Sequence, residues 1–142
     1  MSIPARLSIV TLGVQDVARS VRFYEAIGWE RCASSMNEIA WFRTADTYIG
    51  LFGWRDLAED AQLFEPTRGS FGGITLAINV ESAEIVDAAL EEAVAAGATL
   101  LKPGTDLPFG YGGYFGDPDG HAWEVCWNRD FPIGPDGRIT ID

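Results

Sequence analysis

The run Val14-Gln15-Asp16-Val17-Ala18-Arg19-Ser20-Val21-Arg22-Phe23-Tyr24, closed at Gly28, is answered by a second run. Val80-Glu81-Ser82 leads through Val86, Leu90 and Ala93 to Gly97. Each begins at the end of a β-branched stretch. Each then offers a helix N-cap, Asp16 or Ser82, whose side-chain oxygen can accept from the first free backbone N–H groups. An apolar stripe follows at helical spacing, and glycine ends it. The pattern continues alike in both copies. In the first, residues 29–32 predict a short strand, and residues 39–44 and 48–53 predict two more, joined by a turn at Ala45-Asp46. In the second, residues 98–101 predict a short strand and residues 103–111 a Gly- and Pro-containing loop. Residues 112–116 then lead to the turn Asp117-Pro118-Asp119-Gly120 and a last strand over 121–127. The chain therefore reads as strand–helix–strand–strand–strand, twice, and an internal repeat of this kind decides the fold class. Module one spans about residues 7–53, a connection 54–72, module two about 73–127 and a tail 128–142, all within one domain.

Composition bounds the function. The 142 residues carry 21 acidic and 10 basic side chains, a net charge of −11, so nucleic acid and anionic membrane surfaces are disfavoured as partners. Residues 1–6 do not lead into the apolar run of a secretory leader, and no apolar run approaches the about 20 residues of a membrane span. A cytoplasmic location with reduced thiols is expected. One histidine, His121, and two distant cysteines, Cys32 and Cys126, cannot build a zinc site of several His and Cys ligands.

The opening run to Gly28 and the closing run Asp117-Pro118-Asp119-Gly120-His121, continuing to Trp123-Glu124-Val125, resemble the vicinal oxygen chelate superfamily. That superfamily contains glyoxalase I, bleomycin-resistance proteins and extradiol dioxygenases, and residues 75–97 resemble a glyoxalase-like subgroup of it. The resemblance spans about residues 7–127. It implies an α+β fold in which two βαβββ modules form a cupped, eight-stranded mixed sheet. It also implies a ligand in the cup and assembly as a homodimer. Metalloenzymes of the superfamily place one His or Glu ligand on each of four strands. The matching positions here are Ile9, Gly50, Thr75 and Glu124. Only Glu124 is a ligand for a transition ion, and one carboxylate does not hold such an ion tightly. No metal and no cofactor are expected.

Strand alternation places the remaining candidates. Val10, Leu12 and Val14 face the first helix, which leaves Leu7, Ile9, Thr11 and Gly13 facing the cup. Thr75, Ala77 and Asn79 face it in module two, with Ala122, Glu124 and Cys126 of the last strand, and Tyr48, Gly50 and Phe52 do so by pseudo-symmetry. Among the aromatics, Tyr48, Phe52, Trp54 and Tyr111 are expected to border a pocket, since flat ligands stack on such rings. The glycines of Gly110-Tyr111-Gly112-Gly113 suggest a tight or mobile loop near the mouth. Glu124 has two readings: a lone carboxylate that meets a ligand or acts as general base, or one satisfied by a cross-strand Tyr, Thr or Arg43. His121 reads as a turn residue and Cys126 as a small buried hydrophobe. Three functions follow: a binding protein for a small, partly aromatic or cationic molecule; a metal-independent lyase or isomerase with Glu124 as base; or a module whose cup is filled by its own side chains or by residues 54–69.

Overall fold

Asp16 and Ser82 do cap helices. The Asp16 carboxylate accepts from the Arg19 N–H at 3.1 Å, and α1 runs Val17–Ala26. The Ser82 hydroxyl accepts from the Ile85 N–H at 3.3 Å, and the longer α3 runs Ala83–Ala95. Gly28 and Gly97 sit just past the two helices at φ +92° and +116°, a conformation that L side chains rarely adopt. The computed structural model describes residues 5–63, 71–72 and 74–141, and the chain divides into two compact units, Met1–Pro66 and Thr67–Asp142. The boundary falls inside the predicted connection, of which Phe64, Glu65, Pro66 and Gly69 lie outside the described residues.

In the first unit β1 (Ile9–Val14) pairs parallel with β3 (Tyr48–Gly53), and β2 (Ile39–Arg43) pairs antiparallel with β3, in the order β1-β3-β2. The parallel pair needs a crossover, and α1 supplies it. Ala40, Phe42, Ile49, Leu51, Leu12 and Val14 are buried, and the Tyr24 ring of α1 packs 5.8 Å from that of Phe42. The strand predicted at residues 29–32 is reduced to an isolated antiparallel bridge between Arg31 and Phe42. Beyond it the Ser35 hydroxyl accepts the Trp41 N–H at 2.9 Å, a side-chain bond that takes over a backbone donor. The connection opens with α2 (Trp54–Asp60), whose first turn lies over Gly13. A Cβ at Gly13 would stand 2.8 Å from Cδ1 of Trp54, so glycine is what lets the helix approach.

The second unit repeats the topology. β4 (Leu76–Asn79) pairs parallel with β7 (Ala122–Asn128), and β6 (Gly110–Gly116) lies between β7 and β5 (Thr99–Leu107), in the order β4-β7-β6-β5. Val86, Leu90 and Ala93 of α3 are buried with Phe115, Trp123 and Val125, and Phe115 stacks on its cross-strand partner Trp123 at 6.3 Å and 11°. The described residues thus form an α+β fold of two sheets, three and four strands wide, with three helices.

Module two departs from expectation between residues 103 and 111. The predicted loop is strand: β5 continues through Pro103 and Gly104 to Leu107 and meets β6 after a two-residue turn. The register shifts at Leu101, between Leu100 and Lys102, and again at Pro103 and Gly104, between Lys102 and Thr105. Pro103 has no N–H for the ladder, and an irregular register accommodates that loss. Gly110, Gly112 and Gly113 are strand residues too, with Gly113 squeezed between the Lys102 carbonyl and Leu90. Among the described residues no helix is long and apolar enough to cross a membrane.

The turn before β7 is built around a buried carboxylate. Asp117 is 3% exposed and accepts from the N–H groups of Asp119 (3.0 Å) and His121 (2.8 Å), with Gly120 at φ +87°. Replacing Asp117 with Ala leaves both donors without this acceptor. Urea unfolding should show a loss of about 2–3 kcal/mol, and an unchanged midpoint would refute this role for the turn.

Candidate functional site

Each sheet has one face against its crossover helix and one face turned away from it. Register decides which residues share the second face, because directly paired residues point the same way. In module one Ile9, Tyr48 and Arg43 form one row, Thr11, Gly50 and Trp41 the next, and Gly13, Phe52 and Ile39 the third. A Cβ on Gly50 would meet Thr11 Oγ1 at 3.1 Å and Trp41 Cδ1 at 3.3 Å, so these three positions converge as the alternation predicts. The third row is the one that α2 covers through Trp54 and Leu57. Phe52 and Trp54 therefore belong to a packed end of this face, while Ile9 and Tyr48 border an open one. There a cavity of about 600 Å³ is lined by Ile9, Cys32, Ser34, Trp41, Arg43 and Tyr48.

In module two the equivalent row is Ala77, Glu124, Tyr114 and Lys102. Glu124 is half-buried, and Tyr114 lies directly across from it in the ladder, where both Glu124 and Thr75 act on the phenol. Thr75 and Glu124, two of the predicted site residues, thus meet through a tyrosine that sequence reasoning did not select. Of the cross-strand partners foreseen for Glu124, the Tyr is present, while Thr75 acts on Tyr114. Arg43, the third, belongs to module one. The signal for Tyr114 was available: it lies three residues after Tyr111, so a regular strand puts the two rings on opposite faces. Tyr111 is on the helix side, where its hydroxyl donates to Asp87 of α3 at 2.8 Å. It does not join Glu124.

Burial pushes the Tyr114 phenol above the ordinary tyrosine range, and the Glu124 charge and hydrogen bond push it further, against a smaller opposing contribution from Thr75. The buried Cys126 thiol is raised by desolvation and then by Glu124. Cys126 is therefore held as a thiol, a poor nucleophile. His121 contributes its N–H to the Asp117 turn.

The donor set can be weighed module by module against the metal positions of the resembling enzymes. Ile9 and Gly50 offer no donor atom. Thr75 and Glu124 offer one neutral hydroxyl and one carboxylate, both close enough to Tyr114 to act on its phenol. This set does not fit a tightly held transition ion. Among the described residues, no group of three or more His, Cys, Asp or Glu is placed to hold a metal.

The paired folds and these two faces agree with what the chain is similar to. Residues 6–125 match the model of the Glyoxalase/Bleomycin resistance protein/Dioxygenase superfamily, and the chain belongs to that family. A glyoxalase-related enzyme from Fulvimarina pelagi is 35% identical, with a TM-score of 0.86 over 97% of this chain and 99% of that one. A glyoxalase/bleomycin resistance protein/dioxygenase family enzyme from Burkholderia phytofirmans PsJN is 26% identical, with a TM-score of 0.77 over 87% of this chain and 99% of that one. A lactoylglutathione lyase from Agrobacterium tumefaciens, 21% identical with a TM-score of 0.66 over 89% of this chain and 96% of that one, shares the fold alone. No curated protein matches the chain.

The Tyr114–Glu124 contact has a pH signature. Both Tyr114 and Cys126 bind their protons more tightly folded than unfolded, so this stability is complete below their ordinary values and declines as pH rises through the alkaline range. Glu124→Gln removes the charge that raises them. The Tyr114 titration, isolated as the tyrosinate absorbance lost in Tyr114→Phe, should move down toward the ordinary value of about 10. A titration that stays put in Glu124→Gln would separate the two groups.

Proposed function

We propose that this family member binds a small, partly aromatic or cationic molecule on the helix-free side of its sheets and that it does so without a tightly held transition metal. The donor set carries the reading. Two of the four positions where metalloenzymes of the superfamily carry ligands, Ile9 and Gly50, have nothing to coordinate with, and the other two, Thr75 and Glu124, are tied to Tyr114. What these faces do offer is suited to organic ligands: rings at Trp41, Tyr48 and Tyr114, a half-buried carboxylate at Glu124 and a guanidinium at Arg43. Sites of this kind combine apolar and aromatic walls with a few placed polar groups. Two measurements test it. Thermal unfolding against a panel of aromatic and cationic compounds should give a concentration-dependent rise in Tm for at least one class. Metal analysis of the purified, unchelated protein should find well below one divalent transition ion per chain. A flat panel, or a stoichiometric ion lost on Glu124→Ala, contradicts the reading.

Tyr114 gives specific support to a second reading, a metal-independent lyase or isomerase. A carboxylate and a phenol on directly paired residues supply a general base and a proton donor side by side. Glu124→Gln distinguishes the two. A binding protein keeps most of its affinity for a neutral ligand, whereas a turnover that depends on Glu124 as base disappears.

A further inference from the structure

Arg43 stands at the end of β2 on the open face of module one, in a chain whose net charge is −11. Its surroundings are largely uncharged. The guanidinium carbon lies 6.0 Å from the Tyr48 ring centroid, and Tyr48 is the largest influence on it. Cys32 and the Glu30 carboxylate also act on it. A guanidinium has five N–H donors arranged as a planar fork. One phenol oxygen satisfies only part of that fork. Arg43 is also fully exposed toward the cavity side, so the remaining donors are accessible to a ligand.

The wall beside Arg43 is fixed rather than free. The Cys32 N–H donates to the Trp41 carbonyl at 2.7 Å, the Trp41 N–H donates to the Ser35 hydroxyl at 2.9 Å, and the Ser35 N–H donates to the Cys32 carbonyl at 3.1 Å. The turn at residues 32–35 is thereby pinned to β2 at Trp41. Gly50 next to Trp41 leaves the indole edge uncovered from the neighbouring strand, since a Cβ there would stand 3.3 Å from Trp41 Cδ1. The about 600 Å³ cavity thus has an indole and a phenol ring, the Ile9 side chain and one fork of unspent cationic donors at its edge. Pre-set walls reduce the ordering cost of binding.

We propose that this cavity binds a flat aromatic acid, its carboxylate held by Arg43 and its ring lying against Trp41 and Ile9. Bidentate recognition of a planar anion is what the guanidinium geometry favours, and an amide of the same shape offers one acceptor and repels with its NH2. The inference rests on the small-molecule reading above and names the ligand class for the module-one part of it.

Isothermal titration of the full chain with 2-naphthoate, 2-naphthamide and 2-naphthylmethylamine separates the possibilities. The acid should bind at least about tenfold more tightly than the amide, a difference of about 1.4 kcal/mol, and the amine should bind most weakly. Arg43→Gln should bring the acid to the level of the amide, and Arg43→Lys should fall between, because a point charge keeps the attraction but loses the fork. Arg43 is exposed, so both variants are expected to fold, which circular dichroism and Tm will check. Equal binding of acid and amide overturns the anionic class while leaving an aromatic site. Tightest binding by the amine overturns it in favour of a cationic ligand. Acid binding that survives Arg43→Gln unchanged places the site elsewhere. Failure of all three probes overturns the inference, and the small-molecule reading then stands or falls on the wider thermal panel alone.

Discussion

In both modules everything rests on one pairing: the first strand lies parallel to the last, β1 with β3 and β4 with β7. A parallel neighbour cannot be reached by a hairpin, so the chain must cross over, and the crossing helix covers one face of the sheet. The other face is thereby the one that carries polar and aromatic groups. Register does the rest. A slip of one residue between β4 and β7 would move Glu124 from the row of Ala77 and Tyr114 to the helix side, where a carboxylate would face Val86 and Leu90. The stacked Phe115 and Trp123 rings oppose that slip, because they fill the helix side in the observed register only.

The two modules use equivalent positions differently. Gly50 in β3 corresponds to Glu124 in β7, and Trp41 in β2 corresponds to Tyr114 in β6, since each is the direct cross-strand partner of the other. One pair is a glycine beneath an indole, with the Thr11 hydroxyl and the Trp41 ring close over the bare backbone. The other is a carboxylate against a phenol, which spends its hydrogen-bonding capacity locally. The same backbone therefore presents a cavity in module one and a polar network in module two.

Much of this was legible from residues alone. The caps at Asp16 and Ser82, the glycine stops and the period-two faces are local signals, and each is enforced by short-range geometry. The faces of Ile9, Thr11, Gly50 and Glu124 follow from alternation once the strands are placed. What was not legible depends on close approaches between segments. Pro103 and Gly104 look like loop residues because their propensities are loop propensities. They are strand residues here because a register shift accommodates the proline and because Gly104 makes room for Asp87 and the Tyr111 ring. The seating of Trp54 on Gly13 is likewise a contact between elements, invisible to any periodicity. Tyr114 is not singled out by the sequence because no register for residues 112–116 can be assigned before β6 is paired with β7, and only that pairing puts Tyr114 opposite Glu124.

Gly50 has a consequence for substitution. To restore a coordinating side chain at that position, a Cβ must enter a space bounded at 3.1 Å by Thr11 and at 3.3 Å by Trp41. Both neighbours would have to yield before or together with the substitution. Any side chain at Gly50 thus requires the Thr11 hydroxyl and the Trp41 ring to give way by a few tenths of an ångström, so the tolerance of this position is set by how freely those two side chains can shift.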